Sequence, residues 1–444
     1  MTRRGAPAYE RLFDKAYLET RYPSVSGRLL RYVHLDSAAT TPPFRAVQEA
    51  VEDFLREYGS IHRGAGRKSQ LSSERYEAAR ARIRRFVGAG DSTYVIFSKN
   101  TTEAINHAAS FFSEEPGHIL VSRAEHSSNL LPWVLRERDA GREALFYDFA
   151  PAGTAEPGAV EEAFRAARRR GRRIKLLTVT AASNLLGYPN PVHELAAVAH
   201  RHGARIFVDC CQWIQHGRVD VLAPSDPRHL DFIAFSGHKM YAPYGTGCLL
   251  GPKSFFDAKM PRHIGGANLL YISADMEISR MSSEQAHDPG TPNPVGAVAI
   301  ARAMDVLEQV GLANVRAHEQ RCAKTAYDLL AAARLPLRFY VERDRVRNLV
   351  TFDLEGMESR AVAQALDAEA CIGVRGGAFC MYDLVRRLKG IGPEQDRRLS
   401  AETRRGRTGH IPGVVRASFS LLNGEDDARR LADALAALCR RSRR

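Results

Sequence analysis

The apolar positions of the chain change period several times, and each change marks an element. Within 44–58 the residues Val47, Val51, Phe54 and Leu55 fall at helical spacing. Short continuous apolar runs at 94–97, 118–121, 174–179, 205–208 and 232–235 predict buried strands. Between them the spacing predicts helices over 104–112, 129–138 and 192–202. Strands separated by helices imply parallel pairing and a sheet covered on both faces. Ligands of such sheets sit beyond the carboxyl ends of the strands.

After about Gly290 the pattern changes. Two long helices, 294–310 and 313–333, precede shorter strands near 338–341 and 348–352. A helix over 359–370, strands at 372–374 and 414–419, and a last helix over 425–440 complete a second α/β region. The segment 384–410 is charged and turn-punctuated, and reads as a loop with one short helix starting at Pro393. Residues 1–30 are basic and weakly patterned. The expected organisation is therefore an extension (1–30), a large domain (31–295) and a smaller domain (296–444), with part of the N-terminal segment packing on the last.

Composition alters this picture only by exclusion. Hydrophobic content of 44% and charged content of 26% suit a globular chain, and no apolar run reaches the length of a membrane span. The start, Met1-Thr2-Arg3-Arg4, lacks the apolar stretch of a secretion signal. Seven cysteines without a CxxC pair fit reduced thiols rather than a disulfide framework or a zinc site. A cytoplasmic protein without a metal site is expected. The net charge of +13 raises nucleic acid as a partner. The arginine clusters at 168–170, 172–173 and 440–444 carry no interleaved aromatics, however, so specific nucleic-acid binding is not expected.

Candidate chemistry gathers at the strand ends. Ser98-Lys99-Asn100-Thr101-Thr102-Glu103 joins a strand to a helix, with capping-box spacing between Asn100 and Glu103. Free N–H groups and hydroxyls there, at Thr101 and Thr102, suit a phosphate, although a plain helix cap has the same residues. His126, after the next strand, can lie flat on an aromatic ring or sit in an ordinary polar loop. Asn184 can bond a phenolic oxygen or a carboxylate, or simply make a turn. Asp209 follows the apolar run 206–208 and is placed to face a protonated pyridine nitrogen. Cys210 and Cys211 beside it lack a histidine at metal-ligand spacing. Lys239, in Ser236-Gly237-His238-Lys239, ends the apolar run 232–235. Burial there would favour its free amine, a nucleophile toward carbonyls. Phosphate cup, ring-stacking histidine, pyridinium aspartate and Schiff-base lysine follow one another in order, and together they describe a pyridoxal 5′-phosphate site.

The sequence resembles the fold-type I pyridoxal-phosphate enzymes of aminotransferase class V, and most nearly the group II cysteine desulfurases and selenocysteine lyases. The resemblance covers about residues 32–440. It is carried by Leu35-Asp36-Ser37-Ala38-Ala39, His62-Arg63-Gly64, Thr101-Thr102-Glu103, Glu125-His126, Ser183-Asn184, Asp209 with Gln212, Ser236-Gly237-His238-Lys239 and Gly290-Thr291-Pro292-Asn293. It implies an α/β fold with a mostly parallel seven-stranded sheet and a smaller C-terminal α/β domain. It implies that Lys239 carries the Schiff base, Asp209 pairs with the ring nitrogen, Gln212 contacts the 3-oxygen and His126 stacks on the ring. Thr102, Ser236 and His238 would hold the phosphate with the Thr101 backbone. Thr291 would reach the phosphate of the other subunit of a homodimer. Asn184 and Arg416 would grip the α-carboxylate of a small amino-acid substrate.

The reaction turns on Cys380, in Val374-Arg375-Gly376-Gly377-Ala378-Phe379-Cys380. In group II desulfurases a cysteine after a similar stretch takes the substrate sulfur, leaving alanine and an enzyme persulfide, which a sulfur-acceptor protein can discharge. Arg375 nearby would favour the thiolate. A buried cysteine at a helix start is the structural alternative. The resemblance is incomplete. Ala378 and Phe379 stand where desulfurases usually carry histidines, Gly66 replaces another histidine, and the stretch from Cys380 to Arg416 is longer than typical. Two reactions are therefore expected candidates: cysteine desulfuration through Cys380, or another class V reaction (a C–S β-lyase, an epimerase or an aminotransferase) in which Cys380 is dispensable.

Overall fold

The computed structural model describes residues 9–266, 268–407 and 411–442. Its central sheet has seven strands: β1 (Thr93–Ser98), β2 (His118–Ser122), β3 (Leu145–Tyr147), β4 (Ile174–Thr180), β5 (Arg205–Asp209), β6 (Phe232–Ser236) and β7 (Gly247–Pro252). Their order across the sheet is β1-β7-β6-β5-β4-β2-β3. The strands from β2 to β6 pair in parallel. β7 runs antiparallel to both β1 and β6. All-parallel pairing fails at β7 because the loop from Ser236 to Gly247 is too short for a crossover helix.

Continuous apolar runs form these strands because both faces are covered. Adjacent residues point to opposite sides. Val95, Leu177, Val208, Ile233 and Leu250 enter one apolar layer with Ile300 and Met304. Their neighbours Ile96, Leu176, Phe207, Phe232 and Leu249 enter the other, against Phe111, Phe112 and Trp133. The covering helices are α1 (Arg45–Arg56), α2 (Arg67–Phe86), α3 (Thr101–Phe112), α4 (Ser127–Asp139), α5 (Pro157–Arg169), α6 (Val192–Arg201) and α7 (Pro294–Val310). Strand β3 was not legible in the sequence, being only three residues long and too short to show a period.

A second, antiparallel sheet follows, of β8 (Leu337–Phe339), β9 (Leu349–Leu354), β10 (Arg375–Gly377) and β11 (Val414–Ser418), ordered β8-β9-β11-β10. Helices α8 (Leu312–Ala332), α9 (Ser359–Ala370) and α12 (Glu425–Ser442) share its separate core, around Val350, Val362, Leu366, Val415, Leu431 and Leu435. The segment expected as a loop holds two helices, α10 (Tyr382–Leu388) and α11 (Pro393–Arg404), while His410 lies outside the described residues. Dense arginine hid the few apolar anchors of α10, Leu384 and Val385, which are both buried.

The N-terminal segment ties the two regions together. Val33–His34 pairs in parallel with Ile372–Gly373, and Asp36 bridges to Ser418. Ahead of it, Arg21–Pro23 and Leu29–Arg31 form a small antiparallel pair, and Phe13 packs on Phe44 and Tyr241. A hairpin, Leu269–Ile272 with Ile278–Arg280, carries exposed Leu270, Tyr271 and Met276. Among the described residues no helix is long and apolar enough to cross a membrane.

Candidate active site

The informative residues meet in one cleft at the carboxyl ends of β4, β5 and β6. Its cavity of about 230 Å³ is walled by Thr101, Thr102, His126, Asn184, Asp209, Gln212, Ser236, His238 and Lys239, among others. The parallel register that places Asp209 opposite Ala234 brings the aspartate and the lysine turn to the same end of the sheet. The 3-10 turn Gly237–Lys239 follows β6 directly, so Lys239 leaves a fully buried strand and is itself partly buried.

Helix α3 aims its N-terminus at the cavity. Asn100 caps it, accepting from the Glu103 N–H at 3.0 Å, and Glu103 in turn accepts from the Lys99 N–H at 2.6 Å. Thr101 donates its N–H to Ser236 Oγ at 2.8 Å, and the two hydroxyls lie 2.7 Å apart. Thr102 Oγ1 lies 2.8 Å from Ser128 Oγ. His238 completes this wall, its Nδ1 being 3.3 Å from Thr40 Oγ1. Hydroxyls and amides at a helix N-terminus suit a phosphate dianion.

Asp209 faces them from β5. Its Oδ1 accepts the Cys211 N–H at 2.9 Å, and burial raises its pKa while the Lys239 charge opposes that rise. A protonated ring nitrogen beside it would offset the desolvation of the carboxylate. Gln212 donates to the Ala38 carbonyl at 2.6 Å, so the N-terminal turn fixes its amide. His126 caps α4, with Nδ1 accepting the Ser128 N–H at 3.1 Å, which makes Nδ1 the unprotonated nitrogen. Burial, with help from Lys239, lowers the pKa of both His126 and His238 to about 4. Both rings are therefore neutral near pH 7. The donor set, a phosphate-type wall, a buried carboxylate, a flat imidazole and one amine, fits pyridoxal 5′-phosphate.

The rim is built around Asp36. One carboxylate oxygen accepts from Arg416 Nη2 at 2.9 Å, and the other accepts from Arg375 Nε at 2.9 Å. Arg416 is 1% exposed, and burial pulls its pKa down while Asp36 works the other way. Its Nη1 donates to the Asn184 carbonyl at 2.7 Å. Its Nε is buried without a partner among the described residues, a donor left over for an anion. Asn184 donates to the Phe379 carbonyl at 3.0 Å, and the Phe379 ring lies 4.7 Å from the Arg416 guanidinium.

Cys380 follows directly. It is exposed, whereas the other six cysteines are buried, so the buried helix-start alternative does not hold. Phe379 and Cys380 both have positive φ, 52° and 59°, a costly conformation for non-glycine residues. The Cys380 carbonyl accepts from the Ser127 N–H at 2.9 Å and from Ser127 Oγ at 3.0 Å, which pins the loop to the start of α4. The next residue, Met381, lines the cavity.

Thr291 is not brought to the cleft within a single chain. It is exposed on the loop before α7, where its neighbour Asn293 caps the helix. Arg375 is exposed, with its guanidinium engaged by Asp36. Two residues escaped the sequence reading of roles. Asp36 organises both arginines, a task no local pattern marks. Glu125 lies under the cleft, fully buried, accepting from the Thr180 N–H at 2.9 Å and Asn129 Nδ2 at 2.8 Å. Burial raises its pKa to about 8. Its position beside His126 at a strand end was the available signal.

The family model for aminotransferase class-V matches residues 33–431. A probable cysteine desulfurase of Halalkalibacterium halodurans is 34% identical over 412 residues, covering 91% of this chain and 92% of that protein. A cysteine desulfurase of Klebsiella pneumoniae is 31% identical over 416 residues, covering 93% of this chain and 94% of that protein. Among solved structures, the apo cysteine desulfurase of Thermococcus onnurineus superposes with a TM-score of 0.79 at 28% identity, covering 92% of this chain and 95% of that one. The chain belongs to the aminotransferase class-V family, whose members depend on pyridoxal 5′-phosphate.

Proposed function

We propose that this chain is a pyridoxal-phosphate-dependent cysteine desulfurase that converts L-cysteine to L-alanine and leaves a persulfide on Cys380. The observation that carries this reading is the exposed Cys380 thiol on a strained loop anchored to Ser127, one residue from the cavity wall.

Thr101, Thr102, Ser236 and His238 would hold the phosphate, Asp209 the ring nitrogen, Gln212 the 3-oxygen and His126 the ring face. The cofactor supplies an electron sink for the substrate α-carbon. Lys239 Nζ would anchor it and would move the substrate α-proton. Asn184 and Arg416 orient the α-carboxylate, with Arg375 beside them, and the Arg416 charge is preset by Asp36. Cys380 Sγ, as thiolate, attacks the sulfur of cysteine. The substrate C–S bond breaks, an S–S bond forms on Cys380, and the bond's electron pair stays with the β-carbon, which takes a proton to become the alanine methyl. The persulfide then passes to a sulfur-acceptor protein or an external thiol.

A homodimer with shared sites fits the exposed Thr291 loop and the apolar hairpin carrying Leu270, Tyr271 and Met276. A large and a small domain fit the two apolar cores, with helix α7 packing on the first of them, and free thiols suit a reducing, cytoplasmic setting.

Purified protein incubated with L-cysteine and a thiol tests the reading. Alanine and sulfide are expected from wild type and neither from Cys380→Ala. No alanine from wild type, or undiminished turnover in Cys380→Ala, overturns it. The second reading, another class V reaction, draws on Ala378 and Phe379 at the rim, where the Phe379 ring rather than a histidine meets Arg416. An amino-acid screen followed by cofactor absorbance separates the two.

A further inference from the structure

At the opposite end of the sheet, where β5 and β6 begin, two histidines and an aspartate converge. His200 lies in the last turn of α6, His229 in the loop between β5 and β6, and Asp231 immediately precedes β6. Their ligand atoms all lie within 4.8 Å of one another. His200 Nε2 is 2.8 Å from Asp231 Oδ2, and His229 Nε2 is 3.3 Å from Asp231 Oδ1.

Hydrogen-bond direction decides what this cluster can be. His200 Nδ1 is 2.7 Å from the Pro227 carbonyl, and His229 Nδ1 is 2.7 Å from the Asp226 carbonyl. A carbonyl oxygen only accepts, so both Nδ1 atoms carry hydrogen. Each Nε2 then either also carries hydrogen or presents a lone pair. With Nδ1 the nitrogen that carries hydrogen, each Nε2 faces the Asp231 carboxylate, and the two rings lie 4.2 Å apart between centroids and 20° between planes. A proton or a divalent cation between Nε2 and carboxylate satisfies both, and one cation can take the two Nε2 lone pairs and the carboxylate together.

The surroundings suit a metal. Nδ1–H donated to a backbone carbonyl is the outer contact that orients metal-bound histidine. Asp231 is steadied by the Ile206 N–H, 2.8 Å from Oδ2. The guanidinium of Arg228, next to His229, pairs with Asp226 at 3.0 Å. His193 is held by the Arg228 carbonyl at 2.9 Å. The side chains of His200, His229 and Asp231 are 17%, 19% and 10% exposed, which leaves an entry path and room for a water ligand. Tetrahedral zinc sets its donors roughly 3.3 Å apart, the separation that His229 Nε2 and Asp231 Oδ1 already have, and the His200–Asp231 contact of 2.8 Å would open slightly.

We propose that His200, His229 and Asp231 bind one divalent transition-metal cation of the zinc class, clamping α6 and the loop before β6 to the end of the sheet remote from the cleft. Two imidazoles and one carboxylate favour such borderline ions over magnesium or calcium.

The test strips the purified holoenzyme with a chelator and titrates Zn²⁺, and in parallel Co²⁺, into wild type, His200→Gln and His229→Gln. Wild type is expected to bind one equivalent per chain and to gain a few degrees in Tm. Cobalt should give tetrahedral d–d bands without thiolate charge transfer. Either variant should keep its far-ultraviolet circular dichroism, bind at least about tenfold more weakly and lose the thermal shift. Absence of a bound equivalent in wild type, binding unchanged in the variants, or thiolate bands in the cobalt spectrum overturns the proposal.

Discussion

Asp209, Ser236 and Lys239 reach the cleft from the ends of two adjacent parallel strands, whereas Asp36, Asn184, Cys380 and Arg416 come from four distant segments. The first set rests on a sheet with apolar layers on both faces, so its geometry follows from strand register. The second is held by hydrogen bonds between charged and polar groups: Asp36 to two arginines, Asn184 to Phe379, Ser127 to Cys380. The contrast teaches where each part of the chemistry is decided. On the proposed function, a rigid sheet end would set the cofactor cradle and an assembled rim would select the reaction. Rim variants should therefore disturb stability as well as catalysis, and cradle variants catalysis alone.

The largest effect should come from the cradle. Lys239→Ala is expected to lower alanine formation by roughly 10³-fold or more, with little change in unfolding midpoint. A large loss of stability in that variant would break the contrast. Next, Asp36→Asn leaves the buried Arg416 without its ion-pair partner. We expect a loss of about 3 kcal/mol in urea unfolding, together with a raised KM. An unchanged midpoint would show that the rim is not held by this carboxylate. Asp209→Asn keeps the shape but removes the charge, and should lower kcat by about 10²-fold while leaving the midpoint in place.

A pH profile sharpens the same contrast beneath the cleft. Burial lifts the Glu125 pKa from 4.5 to about 8 in the fold. Between those values the unfolded chain ionises while the folded chain stays protonated, so stability falls as pH rises from about 4.5 to 8 and then levels. Glu125→Gln should flatten that fall, measured by urea unfolding across the range. An identical profile in the variant would place the titration elsewhere. The smallest change is expected from Thr291→Ala, about 1 kcal/mol in cofactor affinity if the loop reaches the second subunit's phosphate. Equilibrium dialysis of the cofactor measures it, and unaltered affinity removes the cross-subunit role.

Much of the cradle was legible because each piece is local. A buried strand is a short apolar run, its end is the next polar residue, and Thr101, His126, Asp209 and Lys239 all sit at such ends. Cofactor residues on successive parallel strands then converge without further information. The rim was less legible. Asp36 and Arg416 are 380 positions apart, and no period links them. The positive φ at Phe379 and Cys380 is imposed by contacts on either side, not by residue type. The cluster of His200, His229 and Asp231 leaves no local motif, because His200 and Asp231 meet only through the packing of a helix end on a strand start.

The sequence alone determined the alternation of strands and helices, the cofactor motifs and their order, since these follow from apolar periodicity and residues within a few positions of one another. The tertiary structure decided the reversed strand β7, the two-arginine clamp on Asp36, the exposure of Cys380 and the histidine pair at the far end of the sheet. Each of these depends on which surfaces are buried against which, and burial is a property of the packed chain rather than of any one stretch of it.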